Sequence, residues 1–303
     1  MTRITDILVV SGTSNPGLAS DIAGGLACKF SRAFVSKFSD GEFDVRISMD
    51  DLSNVGSVVL VQSLCAPVND NIIEMMLIVD AIRRVSSAEI ILIIPYLGYA
   101  RQDRVISTGG LSSSLSSKVV ADVLSIADRV ITLDVHSQQI QGFFDVPITN
   151  IDTTNFFCKR CDSIEVVVSP DLGGVSRARN VLLNYPGARF SIIDKYRSSP
   201  GISQVMNVLG DSVKGKRCVL FDDIVDSAGT LCNSSDYLIS QGAVSIDAYI
   251  THGIFSGNAF DKISNSNIRM IFTTDTIPHD NLIPKISVLP VSSIIVENLR
   301  KMV

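Results

Sequence analysis

The chain has 303 residues, a net charge of −5, 6% aromatic residues and no Trp. That acidic balance argues against nucleic acid as the main partner, which needs a basic face, and the sparse aromatics argue against a single-strand stacking platform. There is no charged-then-apolar leader and no apolar run of membrane-spanning length, so a soluble, cytoplasmic chain with no membrane partner is expected. At roughly 150 residues per domain, the length predicts two domains.

In chain order, short β-branched runs at 7–10, 57–63, 90–95, 129–134, 164–170, 218–223, 244–250 and 268–273 read as strands. Helical patterns lie at 19–29, 69–85, 116–127, 174–184, 229–241 and 292–302. Continuous apolar strands separated by helices indicate parallel sheets covered on both faces, so the fold class is α/β. The segment FFDVPITNIDT (143–153) carries a Pro and turn residues at the midpoint, which predicts domains over 1–148 and 149–291. STGGLSSSLSS (107–117) is the most flexible-looking stretch. Among six scattered cysteines, Cys158 and Cys161 form the one CxxC, inside an expected helix. Without the second pair of a zinc ribbon, they read as structural.

Ligands of open α/β sheets sit beyond the carboxyl ends of the strands, and several strands here end in polar clusters. In CVLFDDIVDSAGT (218–230), a strand meets small residues and then a helix N-terminus, where free N–H groups and the helix dipole favour phosphate. Ser227, Ala228, Gly229 and Thr230 suit that phosphate, while Asp222, Asp223 and Asp226 suit sugar hydroxyls or a hydrated divalent cation. A plain helix N-cap explains Asp226 but not the preceding pair. Gly210 to Lys216 has Walker spacing, but it precedes a strand, Arg217 replaces the Ser or Thr, and it reads as a turn.

PYLGYARQDR (95–104) places Arg101 and Arg104 around Gln102 and Asp103; arginine forks bind phosphate and Gln reads a base edge, against the alternative of a solvated charged loop. His136, one of three histidines, follows strand-final Asp134 in a loop crowded with Gln138, Gln139 and Gln141, so a polar site and a structural His stay open. Asp171 ends another strand, and Gly173 and Gly174 allow close backbone approach. Lys195 and Arg197, two apart on an extended segment, face the same way and suit charge on a transferring phosphoryl group, although a surface loop is the plainer reading.

Taken together, FSDGEFDVRI (38–47), APVNDNIIEMMLIVDAIRR (66–84), PYLGYARQDR, DVHSQQIQGFFDVP (134–147), VVVSPDLGGVSRAR (166–179), IIDKYR (192–197), VLFDDIVDSAGTLC (219–232) and THGIFSGNA (251–259) resemble the ribose-phosphate pyrophosphokinase family, in collinear order over nearly the whole chain. The resemblance implies an Mg2+-dependent enzyme that transfers the β,γ-diphosphoryl group of ATP to the 1-hydroxyl of ribose 5-phosphate, releasing AMP. It implies two domains like type I phosphoribosyltransferases, with the helix near 292–303 returning to the first, and a homo-oligomer, commonly a hexamer. Asp40, Gly41 and Glu42 would contact adenine from a neighbouring subunit, and Arg101 and Gln102 would bind ATP from the same chain. His136 and Asp171 would ligate magnesium, and Lys195 and Arg197 would stabilise the transition state. Arg197, Asp222, Asp223, Asp226, Ser227, Ala228, Gly229 and Thr230 would hold ribose 5-phosphate.

The chain departs from that pattern in places. VISTGGLSSSLSSK (105–118) is uncharged until Lys118, where the family has a basic loop, and MDDLSNVG (49–56) lacks a frequent Arg. Both regions belong to the family's phosphate and ADP regulatory site, so weakened regulation with retained catalysis is expected. Ser227-Ala228 stands where Thr-Gly is typical, which is tolerable unless Ala228 needs a positive φ. A non-catalytic regulatory paralogue would have lost His136, Asp171, Lys195 or Arg197. An ordinary phosphoribosyltransferase would leave the first half unexplained.

Overall fold

A computed structural model gives the fold; the structure describes residues 6–161, 164–196 and 205–302. The chain divides into two compact units, one of Met1–Ile151, Asp275–Pro278 and Pro290–Val303, the other of Asp152–Thr274 and His279–Leu289. Among the described residues, no helix is long and apolar enough to cross a membrane.

The first unit contains, in order, β1 (Ile7–Ser11), α1 (Pro16–Leu26), β2 (Lys29–Arg32), β3 (Phe34–Lys37), β4 (Phe43–Arg46), β5 (Ser57–Val61), α2 (Val68–Val85), β6 (Glu89–Ile94), β7 (Ser107–Thr108), β8 (Leu111–Ser112), α3 (Ser116–Leu124), β9 (Arg129–Leu133) and β10 (Ile148–Ile151). Its six-stranded sheet has the order β10-β9-β6-β5-β1-β2, parallel throughout. Every residue of β1 and β5 is buried, as a sheet covered on both faces requires. Each fully buried Ile or Leu there contributes about 1.5–3 kcal/mol. Helix α2 lays Ile72, Met75, Ile78, Val79 and Ile82 on the core at helical spacing.

Helix α1 starts at Pro16, three residues before the sequence expectation. Asn15 Oδ1 accepts from Leu18 N at 3.3 Å, and Pro16 is already shaped for a first turn. Ala27, at φ +54, then caps the helix, whose last residue, Leu26, falls three residues short of the expected 29.

The second unit contains α4 (Thr154–Cys158), β11 (Val166–Ser169), α5 (Val175–Asn184), β12 (Arg189–Tyr196), β13 (Val205–Gly210), β14 (Arg217–Val225), α6 (Gly229–Ser240), β15 (Ser245–Gly253), α7 (Ala259–Asn265), β16 (Met270–Thr274) and β17 (Ile286–Leu289). Its seven-stranded sheet runs β13-β12-β11-β14-β15-β16-β17 and is parallel except at the β12–β13 pair. Both units are thus α/β, with mainly parallel sheets flanked by helices.

Phe221, Tyr249 and Phe272 are register neighbours on β14, β15 and β16, and their rings stack at 5.2 and 4.7 Å. Such cross-strand aromatic pairs stiffen a sheet beyond their burial, and Phe221 immediately precedes Asp222. Cys158 ends α4 and Cys161 lies beyond it, so the CxxC leaves the helix that the sequence expected to contain it. Burial pushes the Cys158 thiol up to about 11.

The final helix, α8 (Ser292–Met302), packs on α1 within the first unit. Arg300 Nη2 donates to Gly25 O at 2.7 Å, and a Cβ on Gly25 would lie 2.8 Å from Val296 Cγ2. Gly24 next to it has open space. Gly25→Ala should therefore lower stability by about 1–2 kcal/mol through overpacking, and Gly24→Ala should raise it by about 0.5–1 kcal/mol. Paired thermal melts test this, and a loss of stability for both would refute the difference.

Candidate active site

In the second unit, β14 does not stop at the acids where the sequence reading ended it; it continues through Asp222 and Asp223 to Val225. Arg177 of α5 makes this possible. Its Nη1 lies 3.3 Å from Asp223 Oδ1 and 3.5 Å from Asp222 Oδ1. Asp223 N also donates to Asp222 Oδ1 at 3.0 Å. Burial, and then the Asp223 charge, push the Asp222 carboxyl well above the usual carboxylate range; Arg177 opposes this, and Asp171 adds to it. One guanidinium therefore faces two carboxylates, and Asp171 adds negative charge at Asp222.

Asp171 sits in the turn between β11 and α5, with its Oδ1 accepting from Gly174 N at 3.0 Å. Ser169 Oγ closes the same turn on Asp171 O at 2.6 Å, and a Cβ on Gly174 would meet that hydroxyl at 2.8 Å. A side chain there would displace the Ser169 hydroxyl from the turn.

Beyond β14, the residue at the N-cap of α6 is Ala228, and among the described residues no side chain caps the helix. The first-turn N–H groups lack intrahelical acceptors, and with the helix dipole they form an open anion-binding end. The acids are engaged elsewhere: Asp226 accepts from Ser256 Oγ. Lys262 Nζ of α7 donates to Ser227 O at 3.0 Å and stands 4.0 Å from where a Gly229 Cβ would lie. Ala228 has φ +59, so it is no neutral replacement for glycine. A left-handed L-residue costs about 1–2 kcal/mol, and burying its methyl offsets about 0.8 kcal/mol of that.

Lys195 is the penultimate residue of β12, in register with Met206 of β13. Arg197 lies outside the described residues.

In the first unit, the loop after β6 carries exposed Arg101 and Gln102. It is turned by Gly98, where a Cβ would lie 2.5 Å from Leu64 O, and by Tyr99 at φ +63. Gln139 Nε2 donates to Asp103 Oδ2 at 3.0 Å, tying this loop to the one that holds exposed His136. Asp40, Gly41 and Glu42 form the exposed tip of the β3–β4 hairpin, where Asp40 Oδ1 accepts from Glu42 N at 3.1 Å and Gly41 has φ +95. Each unit thus gathers part of the expected set. Asp222 and Asp223 flank Arg177 with Asp171 acting on Asp222, and Arg101, Gln102 and His136 share linked loops.

The sequence reading missed Arg177, Ser256 and Lys262. Arg177 had left a signal: a cation in the first turn of a helix opposes the dipole and calls for nearby acids. Lys262 left none, because only tertiary folding brings α7 to the loop.

Parallel sheets, an acid pair and an uncapped helix end define an α/β enzyme that handles sugar and phosphate groups. The chain matches the N-terminal domain of ribose phosphate pyrophosphokinase over residues 7–127 and the phosphoribosyl synthetase-associated domain over 192–303. It is 42% identical to a ribose-phosphate pyrophosphokinase of Shewanella oneidensis, over 98% of this chain and 95% of that one. Identity to the Chromobacterium violaceum ribose-phosphate pyrophosphokinase is 43%, over 99% and 93% of the two chains. The crystal structure of phosphoribosylpyrophosphate synthetase from Mycobacterium smegmatis superposes with a TM-score of 0.88 at 31% identity, covering 98% of this chain and 99% of that chain. The chain belongs to the ribose-phosphate pyrophosphokinase family, whose members are diphosphotransferases of the kinase class.

Arg177→Met should destabilise the fold by about 2–3 kcal/mol at neutral pH, because two largely buried carboxylates lose their cation. Adding Asp223→Asn should restore part of that loss. Urea unfolding of both variants measures it, and an unchanged midpoint for the single variant would refute the structural role of Arg177.

Proposed function

We propose that the chain transfers the β,γ-diphosphoryl group of ATP to the 1-hydroxyl of ribose 5-phosphate, giving phosphoribosyl pyrophosphate and AMP for nucleotide biosynthesis. The observation that carries this reading is the uncapped N-terminus of α6 behind the Asp222–Asp223 pair, in a chain that matches its family from end to end. In this reading, the α6 amides with Ser227, Ala228, Gly229 and Thr230 bind the 5-phosphate. Lys262 adds positive charge beside it. Asp222, Asp223 and Asp226 accept hydrogen bonds from the sugar hydroxyls, with Arg197 as a further contact. Arg101 and Gln102 bind ATP, and Asp40, Gly41 and Glu42 address the adenine of a neighbouring subunit in a homo-oligomer, a hexamer by family resemblance. A cytoplasmic setting suits both substrates.

The carboxylates fit a hard cation. Asp171 adds to the negative charge that already raises Asp222, and oxygen donors suit Mg2+, which takes few protein ligands and keeps water and phosphate. The family resemblance assigns Asp171 of this unit, and His136 of the first, to the ion, which when bound would supply charge neutralisation on the phosphates. Lys195 and Arg197 then meet the charge that develops on the transferring group, with little covalent chemistry left for the chain to perform.

With ATP, ribose 5-phosphate and Mg2+, the wild type should release AMP, and Lys195→Ala should lower kcat by about 10²-fold or more. No AMP from the wild type would leave the non-catalytic paralogue as the better reading. An undiminished rate in the variant would remove Lys195 from the mechanism.

Regulation is read as weakened. Between Arg104 and Lys118 the loop carries no charge, and Lys118 is ion-paired with Asp122. A phosphate titration of the steady-state rate should show little activation, and ADP inhibition should be simply competitive. Strong activation with cooperative ADP inhibition would overturn this.

A further inference from the structure

The Ser-rich segment that looked flexible in sequence is an ordered clasp. Gly109 and Gly110, at φ +60 and +79, make a tight turn between β7 and β8, the paired positive angles that a two-residue hairpin demands. Below the hairpin, Ser113 N donates to Ile106 O and Ser113 Oγ accepts from Ile106 N, both at 2.9 Å. This returns the chain to the loop after β6, where it meets Gln102. Ser114 Oγ donates to Gln102 Oε1 at 3.0 Å, Ser116 Oγ donates to the same oxygen, and the two hydroxyls lie 2.8 Å apart. Ser117 holds the backbone as well, donating to Gln102 O from N at 3.2 Å and from Oγ at 2.9 Å.

We propose that Ser114 and Ser116 are positioning residues that pre-orient the Gln102 amide for ATP. A glutamine on an exposed loop loses much rotamer freedom when it binds a ligand, and a side chain already held loses less. With the carbonyl oxygen occupied by two donors, the amide N–H2 group is the one that addresses the ligand, so it reads an acceptor such as a ring nitrogen of the base. The inference rests on the assignment of Gln102 to ATP and deepens it.

The test compares KM for ATP and for ribose 5-phosphate in four chains: wild type, Ser114→Ala/Ser116→Ala, Gln102→Ala, and the triple variant. Losing two hydrogen bonds of ordinary strength should raise the ATP KM of the serine variant about three- to tenfold, with the ribose 5-phosphate KM within about twofold. The serine changes should add nothing further in the Gln102→Ala chain, and Ser116→Thr, which keeps the hydroxyl, should retain the wild-type ATP KM. A raised ATP KM for Gln102→Ala with an unchanged serine variant would overturn the clasp and leave the Gln102 assignment standing. An unchanged ATP KM for Gln102→Ala would overturn the assignment itself. Additive effects in the triple variant would show that the serines act elsewhere, and would also refute the clasp.

Discussion

Adjacent carboxylates on one strand repel each other, and β14 carries Asp222 beside Asp223 because the Arg177 guanidinium lies within 3.5 Å of both. At an effective dielectric of about 20, opposite charges some 4 Å apart attract by about 4 kcal/mol, so each pairing matters against the few kcal/mol that keep a domain folded. The guanidinium comes from the first turn of α5, where the dipole disfavours a cation. Each feature is costly alone and tolerable with the other. The aromatic ladder through Phe221, Tyr249 and Phe272 anchors the strand one residue earlier. Asp171 adds further negative charge at Asp222. That charge suits a cation and sugar hydroxyls, while the bare amides of α6 suit phosphate. A few residues of chain thus present two opposite electrostatic environments.

How much of this was legible follows from the range of each cause. Buried parallel strands show as continuous apolar runs, so the α/β class and the positions of β1, β5, β6, β9, β11, β14, β15 and β16 could be read directly. Helix α1 was misplaced because the apolar pattern was weighed above Asn15-Pro16, a stronger local start signal. The edge strand β13 and the short β3–β4 and β7–β8 hairpins carry too little apolar alternation to stand out. At the site, residues that act through composition were visible: the acids, the small-residue turn, Arg101, Gln102 and His136. Residues that act through position were not. Lys262, Ser256, Ser114 and Ser116 are ordinary surface types, and only their partners give them a role.

The Ser-rich run shows the same limit from the other side. Serine and glycine without charge read as flexibility, because each residue alone permits many conformations. Collectively they do the reverse: two glycines supply the one turn that closes the hairpin, and the hydroxyls converge on a single amide. Composition reports what a segment could do in isolation. Hydrogen bonding to Gln102 decides what it does.

Backbone strain and ligand alignment meet at Ala228. Its left-handed backbone costs about 1–2 kcal/mol, and burial of the methyl offsets only part of that. The conformation persists because its neighbours leave no alternative: Asp226 is tied by Ser256, Ser227 O by Lys262, and Ala228 O accepts the first turn's bond from Cys232 N at 2.9 Å. A relaxed φ at this position would swing the following amides off the helix axis, and the open N-terminus would lose the alignment that makes it anion-binding. The strain is therefore the local cost of an aligned phosphate cradle, and Ser256 and Lys262, both reaching the loop from the segment after β15, are what sustain it.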